Sequence, residues 1–205
     1  MLADKNIKAF LEETASSAPV PGGGSVAALS AGLAAALTAM VANLTIGKKG
    51  YEGLEGEMEA IADEADGYRK KFLEYIDKDC ESFNEVMAAF RLPKETEEEN
   101  ESRKGSIQTG LKNAAIVPLE VAKNALQMMN IIAKAVEKGN KNAVTDGAVA
   151  AMMARTAALS ALYNVKINLS SIKDAEFVER LGKEVADTEK KAVETEKSIL
   201  EKVVL

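Results

Sequence analysis

Counting in sevens along the middle of this chain gives Met58, Ala65, Phe72, Asp79 and Val86, four apolar side chains and one acid in a single seam. A carboxylate in apolar company is costly to bury unless it is paired or hydrogen-bonded, and burial shifts its proton affinity. Asp79 is therefore a candidate proton carrier, although a structural ion pair or a hydrogen bond to a neighbouring helix would use the same position. Asp146 is a second candidate, one turn into an apolar segment and on the same face as Ala150, Met153 and Ala157, with Asn142 and Asn164 on or near that stripe. It could touch a ligand at a helix mouth or simply satisfy the helix dipole. Asn43, on a seam with Met40, could bind a ligand or make a plain interhelical hydrogen bond.

The stretch APVPGGGSVAA, residues 18–28, sets two prolines and three glycines before an uncharged run of small residues. Gly22, Gly23 and Gly24 would let an anion or a flat ligand reach backbone N–H groups, and the helix start after Ser25 would add partial positive charge. The loop lacks a P-loop's Lys-Ser/Thr and a preceding strand, so a tight turn explains it equally well. Lys48, Lys49, Arg91, Lys94 and Lys141 fall at turns, where they could supply local positive charge or stay solvated. There is no histidine, so acid–base work falls to carboxylates, lysines, tyrosines, the single Cys80 or bound water. Cys80 itself reads as an inert core thiol.

The elements that must hold these residues are helices. Ile7, Phe10 and Leu11 make one face of a short first helix, which stops before Pro19 and Pro21. With Ser25 as the N-cap, Leu29, Leu33, Leu37, Met40 and Leu44 then recur at three- and four-residue steps to about Ile46, among Ala27, Gly32, Ala36 and Ala39. A long third helix carries the Asp79 seam from Met58 to Phe90. Thr96 and Glu99 form a capping box for a fourth that runs toward Lys138 with a kink expected at Pro118. Residues 143–165 form a second segment apolar almost all round, broken by Asp146 and Arg155. A last helix from about Asp174 shows Val178, Leu181, Val185, Ala192, Ile199 and Val203 on one face. The expectation is an all-α fold, one bundle of about six helices over residues 1–205, with no internal repeat.

At 205 residues and 47% apolar content the chain can build a substantial core. A net charge of −6 and the absence of a Lys/Arg-rich block speak against a nucleic-acid surface. One cysteine excludes an internal disulfide and fits a reducing compartment, and MLADKNIKAFLEE has no apolar signal core, so a cytoplasmic location is expected. Residues 25–46 are long enough to span a bilayer, yet Ala, Ser, Gly, Thr and Asn dominate them, so a tightly packed helix and no membrane association are expected.

Four separated motifs together resemble one family: APVPGGGSVAALSAGLAAALTAMVANLTIGKKGY, DKDCESFNEVMAAFRLPKETEEE, AAIVPLEVA, and GNKNAVTDGAVAA with LYNVKINL. In this order and spacing they are similar to the cyclodeaminase/cyclohydrolase family of folate enzymes. The formiminotransferase module fused to this one in animal members is not within these residues. The resemblance implies an all-helical homo-oligomer, at least a homodimer, that acts on one-carbon tetrahydrofolate derivatives without metal or any cofactor beyond that substrate. A separate formiminotransferase is a candidate partner. Two reactions are implied: closure of 5-formiminotetrahydrofolate to 5,10-methenyltetrahydrofolate with loss of ammonia, or hydrolysis of the methenyl compound to 10-formyltetrahydrofolate. A non-catalytic folate-binding or scaffolding module is a further alternative.

Within that reading Asp79 and Asp146 are the catalytic candidates. Asp79 would shuttle a proton or stabilise the cationic amidinium, and Asp146 with Asn142 or Asn164 would meet the donor edge of the pterin. Gly22, Gly23, Gly24, Ser25, Lys48 and Lys49 would receive substrate carboxylates, and Asn43 completes the substrate-binding set.

Overall fold

The computed structural model describes residues 1–204, which form six α-helices after a short 3₁₀ turn at Leu2–Asp4. They are α1 (Ile7–Thr14), α2 (Gly23–Asn43), α3 (Glu55–Phe90), α4 (Glu97–Lys138), α5 (Val144–Leu169) and α6 (Ala175–Leu200). The folate-family resemblance implied such an all-helical architecture, and no strand occurs among the described residues.

Helices α2 to α5 alternate in direction around one core. Gly24 lies against Asp79 and Gly32 against Phe72, which sets α2 antiparallel to α3. Gly110 against Val86 and the Lys138–Glu57 ion pair at 2.8 Å do the same for α3 and α4. The Asn168 amide donates to the Ala114 carbonyl at 2.9 Å while Gly147 meets Val136, so α4 and α5 are antiparallel as well. The ring closes where Gly23 approaches Asn164 at one end and the Thr45 hydroxyl accepts from the Asn140 backbone N–H at 2.8 Å at the other. Helix α6 lies outside this ring, parallel to α4 through Lys112–Asp174 and Lys202–Glu137 and antiparallel to α5 through Arg155–Glu196 and Lys166–Glu189.

Small residues make the ring tight. Ala27, Ala28, Ala31, Ala34, Ala35 and Ala42 of α2 are buried against α3 and α5, and α5 answers with its own alanines from Ala150 to Ala161. This shifts the emphasis of the sequence pattern, because only Leu29, Leu37 and Val41 of the larger residues pack toward the core, while Leu33, Met40 and the C-cap residue Leu44 are 49%, 39% and 47% exposed. Alanine lets backbones approach closely, and close approach leaves the longer side chains on the outer face. Both α2 and α5 are long and apolar enough to cross a membrane by length and composition, and about half of each such stretch is buried in the bundle.

Three further local expectations change. Helix α2 begins two residues before Ser25, with Gly22 as N-cap and Ser25 already in the first turn. In α1 only Phe10 is buried, with Ile7 and Leu11 left in solvent. Helix α4 runs continuously through Pro118, while the Thr96–Glu99 capping box forms as the sequence indicates.

Candidate active site

The start of α2 has no side chain of its own to cap it, since Gly22, Gly23 and Gly24 occupy the N-cap and the first two helical positions. The free N–H groups of a helix start favour a negative charge, and α3 provides one. Asp79 Oδ2 accepts from the Ser25 hydroxyl at 2.9 Å, and the Ser25 backbone N–H also donates to the carboxylate. Gly24 is the position that allows this: a Cβ added there would overlap the carboxylate. The helix start offered to a substrate anion by the sequence reading is thus filled by the protein's own anion.

Ser25 is fully buried and orients the acid. Its oxygen also lies 3.3 Å from Cys80 Sγ and 3.2 Å from the Ile76 carbonyl, so the thiol can donate to Ser25 while the single hydroxyl proton goes to Asp79. Burial pushes the Asp79 carboxyl above its ordinary range, with the two Ser25 bonds pulling the other way. Burial likewise raises the Cys80 thiol, helped by the neighbouring carboxylates, so it stays protonated and acts as a donor.

A cleft of about 320 Å³ opens beside Asp79, between the start of α2, the middle of α3 and the end of α5. Gly22, Gly23 and Gly24 form one wall, Phe83 and Val86 another, and Asn164 and Ile167 a third. The Asn164 amide donates to the Ser160 carbonyl at 2.9 Å, and its side chain sits close enough to Gly23 that a Cβ there would be 3.2 Å from its nitrogen. No lysine or arginine lines the cleft. A larger groove on the α3–α4 hairpin, around Ala88, Ala89, Gly105 and Thr109, lacks a carboxylate set off in this way.

Of the residues singled out from sequence, the structure brings together Asp79, Gly22, Gly23, Gly24, Ser25 and Asn164. It places Asn43, Lys48, Lys49, Asn142 and Asp146 at the opposite end of the bundle. The reason is the antiparallel α2–α5 pair: Gly24 and Asn43 are separated by about 28 Å of helix, and Asn164 and Asp146 by about 27 Å, at 1.5 Å per residue. Within one chain Asp146 and Asp79 cannot serve the same reacting atoms, and Lys48 and Lys49 cannot bind beside the glycine loop. Sequence reasoning missed Ser82, Phe83 and Asn168, which line the same cleft. Their signal was present, one helical turn on from Asp79 and from Asn164.

The far end is built as carefully. Asn140 is 6% exposed, and its Oδ1 accepts from Lys48 Nζ at 2.8 Å and from the Asn142 backbone at 3.0 Å. Its Nδ2 donates to the Leu44 carbonyl at 3.0 Å. The Lys48 ammonium is therefore fixed by a neutral amide. The turn carrying it depends on Gly47, Gly50 and Gly53, all at positive φ. Asp146 is half-buried in the first turn of α5. Among the described residues no group of three or more Cys, Asp or Glu converges as metal ligands would.

The molecule is thus a helical bundle that holds a partly desolvated carboxylate on a glycine-opened helix start, beside an open cleft that contains no histidine. Residues 6–187 match the family described as formiminotransferase-cyclodeaminase, and the chain belongs to that family. It is 40% identical over 185 residues, 90% of its length and 89% of the relative's, to the methenyltetrahydrofolate cyclohydrolase of Methylorubrum extorquens. It is 34% identical over 179 residues to the formimidoyltransferase-cyclodeaminase of Rattus norvegicus, spanning 33% of that longer protein. The crystal structure of formiminotetrahydrofolate cyclodeaminase from Thermotoga maritima superposes with a TM-score of 0.89 at 32% identity, covering 99% of this chain and 98% of that one.

Proposed function

We propose that this chain is an enzyme of folate one-carbon metabolism, a cyclodeaminase that converts 5-formiminotetrahydrofolate to 5,10-methenyltetrahydrofolate and ammonia. The observation that carries the reading is Asp79, held by Ser25 against Gly24 with its proton affinity raised by burial, at the wall of an open cleft. In this reaction N10 attacks the formimino carbon, giving a tetrahedral centre between N5 and N10. The Asp79 carboxylate takes the proton leaving N10 and returns it to the departing nitrogen, which leaves as ammonia. A raised proton affinity suits this exchange, since the group must accept and then release a proton near neutrality. Its negative charge also faces the methenyl cation as that forms.

Asn164 is proposed to hold the pterin's amide edge from the opposite wall, and Phe83 and Ile167 to exclude water from the flat ring. The proposal needs no cofactor beyond the tetrahydrofolate substrate. It includes a cytoplasmic location, a homodimer, and a separate formiminotransferase as supplier of the formimino compound.

The second reading is methenyltetrahydrofolate cyclohydrolase, favoured by the near full-length similarity to the Methylorubrum extorquens protein of that name. There Asp79 would take a proton from the water that attacks the methenyl carbon and return it to N5 as that bond breaks, while the new hydroxyl gives its remaining proton to solvent and becomes the formyl oxygen on N10. Both reactions place the same carboxylate beside the same tetrahedral carbon. Ammonia release from 5-formiminotetrahydrofolate and loss of methenyl absorbance, measured on one preparation, separate them. Turnover of the formimino compound at a rate well above methenyl hydrolysis supports the first reading. The reverse supports the second, and saturable folate binding with neither turnover overturns both.

A further inference from the structure

The polar groups behind Asp79 meet at a single atom. Ser25 Oγ lies 2.9 Å from Asp79 Oδ2, 3.2 Å from the Ile76 carbonyl oxygen and 3.3 Å from Cys80 Sγ. A hydroxyl carries one proton, and the first two neighbours are both acceptors, so Ser25 by itself leaves open which of them receives it. The third neighbour settles the matter. Cys80 is 8% exposed and burial keeps its thiol protonated, so it meets Ser25 as a donor and a lone pair of the Ser25 oxygen turns toward it.

We propose that Cys80 is a positioning residue: its thiol donates to the Ser25 oxygen and so commits the one hydroxyl proton to Asp79 in place of the Ile76 carbonyl. This deepens the proposed function and rests on it for the reaction, while the chain of contacts from Cys80 through Ser25 to Asp79 stands whatever the substrate is.

Two features favour this sharing of protons. A donor on an oxygen polarises that oxygen's own O–H bond and makes it a stronger donor in turn. The Ile76 carbonyl loses nothing when Ser25 turns away, because inside the continuous helix α3 it accepts from the backbone N–H four residues on. Asp79 has no such second source. Its donors among the described residues are the hydroxyl and the backbone N–H of Ser25. No cation replaces them: α2 carries no charged side chain, and α4 and α5 line the cleft with Ala114, Asn164, Ile167 and Asn168. The charged groups that act on Cys80 beside Asp79 itself are Asp77 of α3 and Glu13 of α1, the latter ion-paired with Lys5. Any change in what Ser25 donates is therefore read directly in the titration of Asp79.

Carbon-detected NMR titration of the Asp79 carboxyl in the ligand-free protein tests the contact without turnover. In Cys80→Ala the hydroxyl divides its proton between two acceptors, and the Asp79 midpoint should move up by about half a pH unit, the scale of one weakened hydrogen bond. Cys80→Ser keeps a donor at the position and should titrate as wild type. Ser25→Ala should move the midpoint further up, and adding Cys80→Ala to it should change nothing more, because the thiol acts only through Ser25. A midpoint unmoved or lowered in Cys80→Ala, or the same shift with and without Ser25, overturns the proposal. Turnover carries the same signature: the rising limb of the Cys80→Ala pH profile should move up with the titration, a loss of about threefold in rate below the midpoint that recovers above it. A uniform loss at every pH with the limb in place also overturns it, since lost packing alone does that. A displaced NMR midpoint in a protein that turns over neither folate would uphold the positioning role and overturn the proposed reaction.

Discussion

The two ends of the α2–α5 layer solve opposite problems with the same tools. At the start of α2, glycines remove side chains so that the Asp79 carboxylate from α3 can reach a helix N-terminus and still face a cleft. At its end, glycines at positive φ turn the chain so that the Lys48 ammonium can reach a buried asparagine. One end fixes an anion in a partly dry setting, where its proton affinity rises; the other fixes a cation through a neutral partner, where its charge stays uncancelled. The difference teaches that polar groups here are positioned by backbone permissiveness and not by ion pairing. The ion pairs lie elsewhere, many of them on exposed surfaces of α3, α4 and α6, where each contributes little.

The comparison is broken most severely at Gly24. Gly24→Ala inserts a methyl group into the space of the Asp79 carboxylate, so the acid must leave Ser25 or α2 must shift. Turnover should fall by about two orders of magnitude, the lower range for losing a positioned acid–base group, with about 1–3 kcal/mol of destabilisation from overpacking. Steady-state kinetics alongside thermal unfolding checks both. At the other end, Asn140→Ala removes a buried amide that serves three partners, Lys48 Nζ, the Asn142 N–H and the Leu44 carbonyl, and leaves the last two without theirs. A cost of about 1–3 kcal/mol is expected in denaturant unfolding, with kcat and KM little changed because this end lies away from the Asp79 cleft. Asn164→Ala should raise KM by a few-fold and leave stability nearly unchanged, because its amide donates only within its own helix to Ser160. A folded Asn140→Ala protein that loses turnover would join the two ends functionally and contradict a site confined to the Asp79 end.

Much of the fold was legible in the chain, because helix periodicity, the capping box at Thr96 and the charge-free stretches are local signals. Asp79 was legible as an acid in an apolar seam, and Gly22–Ser25 as a loop that removes side chains. The distance between candidates was not, since it depends on which helices pair and in which direction. Asn43 and Gly24 are near in the reading of a motif and far apart on a straight helix. The orientation of α2 was also hidden: a helix with alanines and leucines on alternate faces offers two apolar surfaces, and only the packing of α3 and α5 decides which one is inside. Leu33 and Met40 point outward for that reason.

The pH dependence of turnover in wild type and in Asp79→Asn tests the central claim most directly. Burial raises the folded-state proton affinity of Asp79, so the unfolded chain ionises first as pH rises. Any stability the group lends is complete below the ordinary carboxylate pKa and is lost as pH climbs through the folded value. At neutral pH Asp79→Asn should therefore fold at least as stably as wild type. The wild-type rate should rise with pH through a carboxylate titration displaced upward, because the base must be ionised to accept the proton. In Asp79→Asn that limb should vanish and kcat should drop about 100-fold or more while folate binding persists. A folded Asp79→Asn protein that keeps both the limb and a rate within a few-fold of wild type would contradict the account.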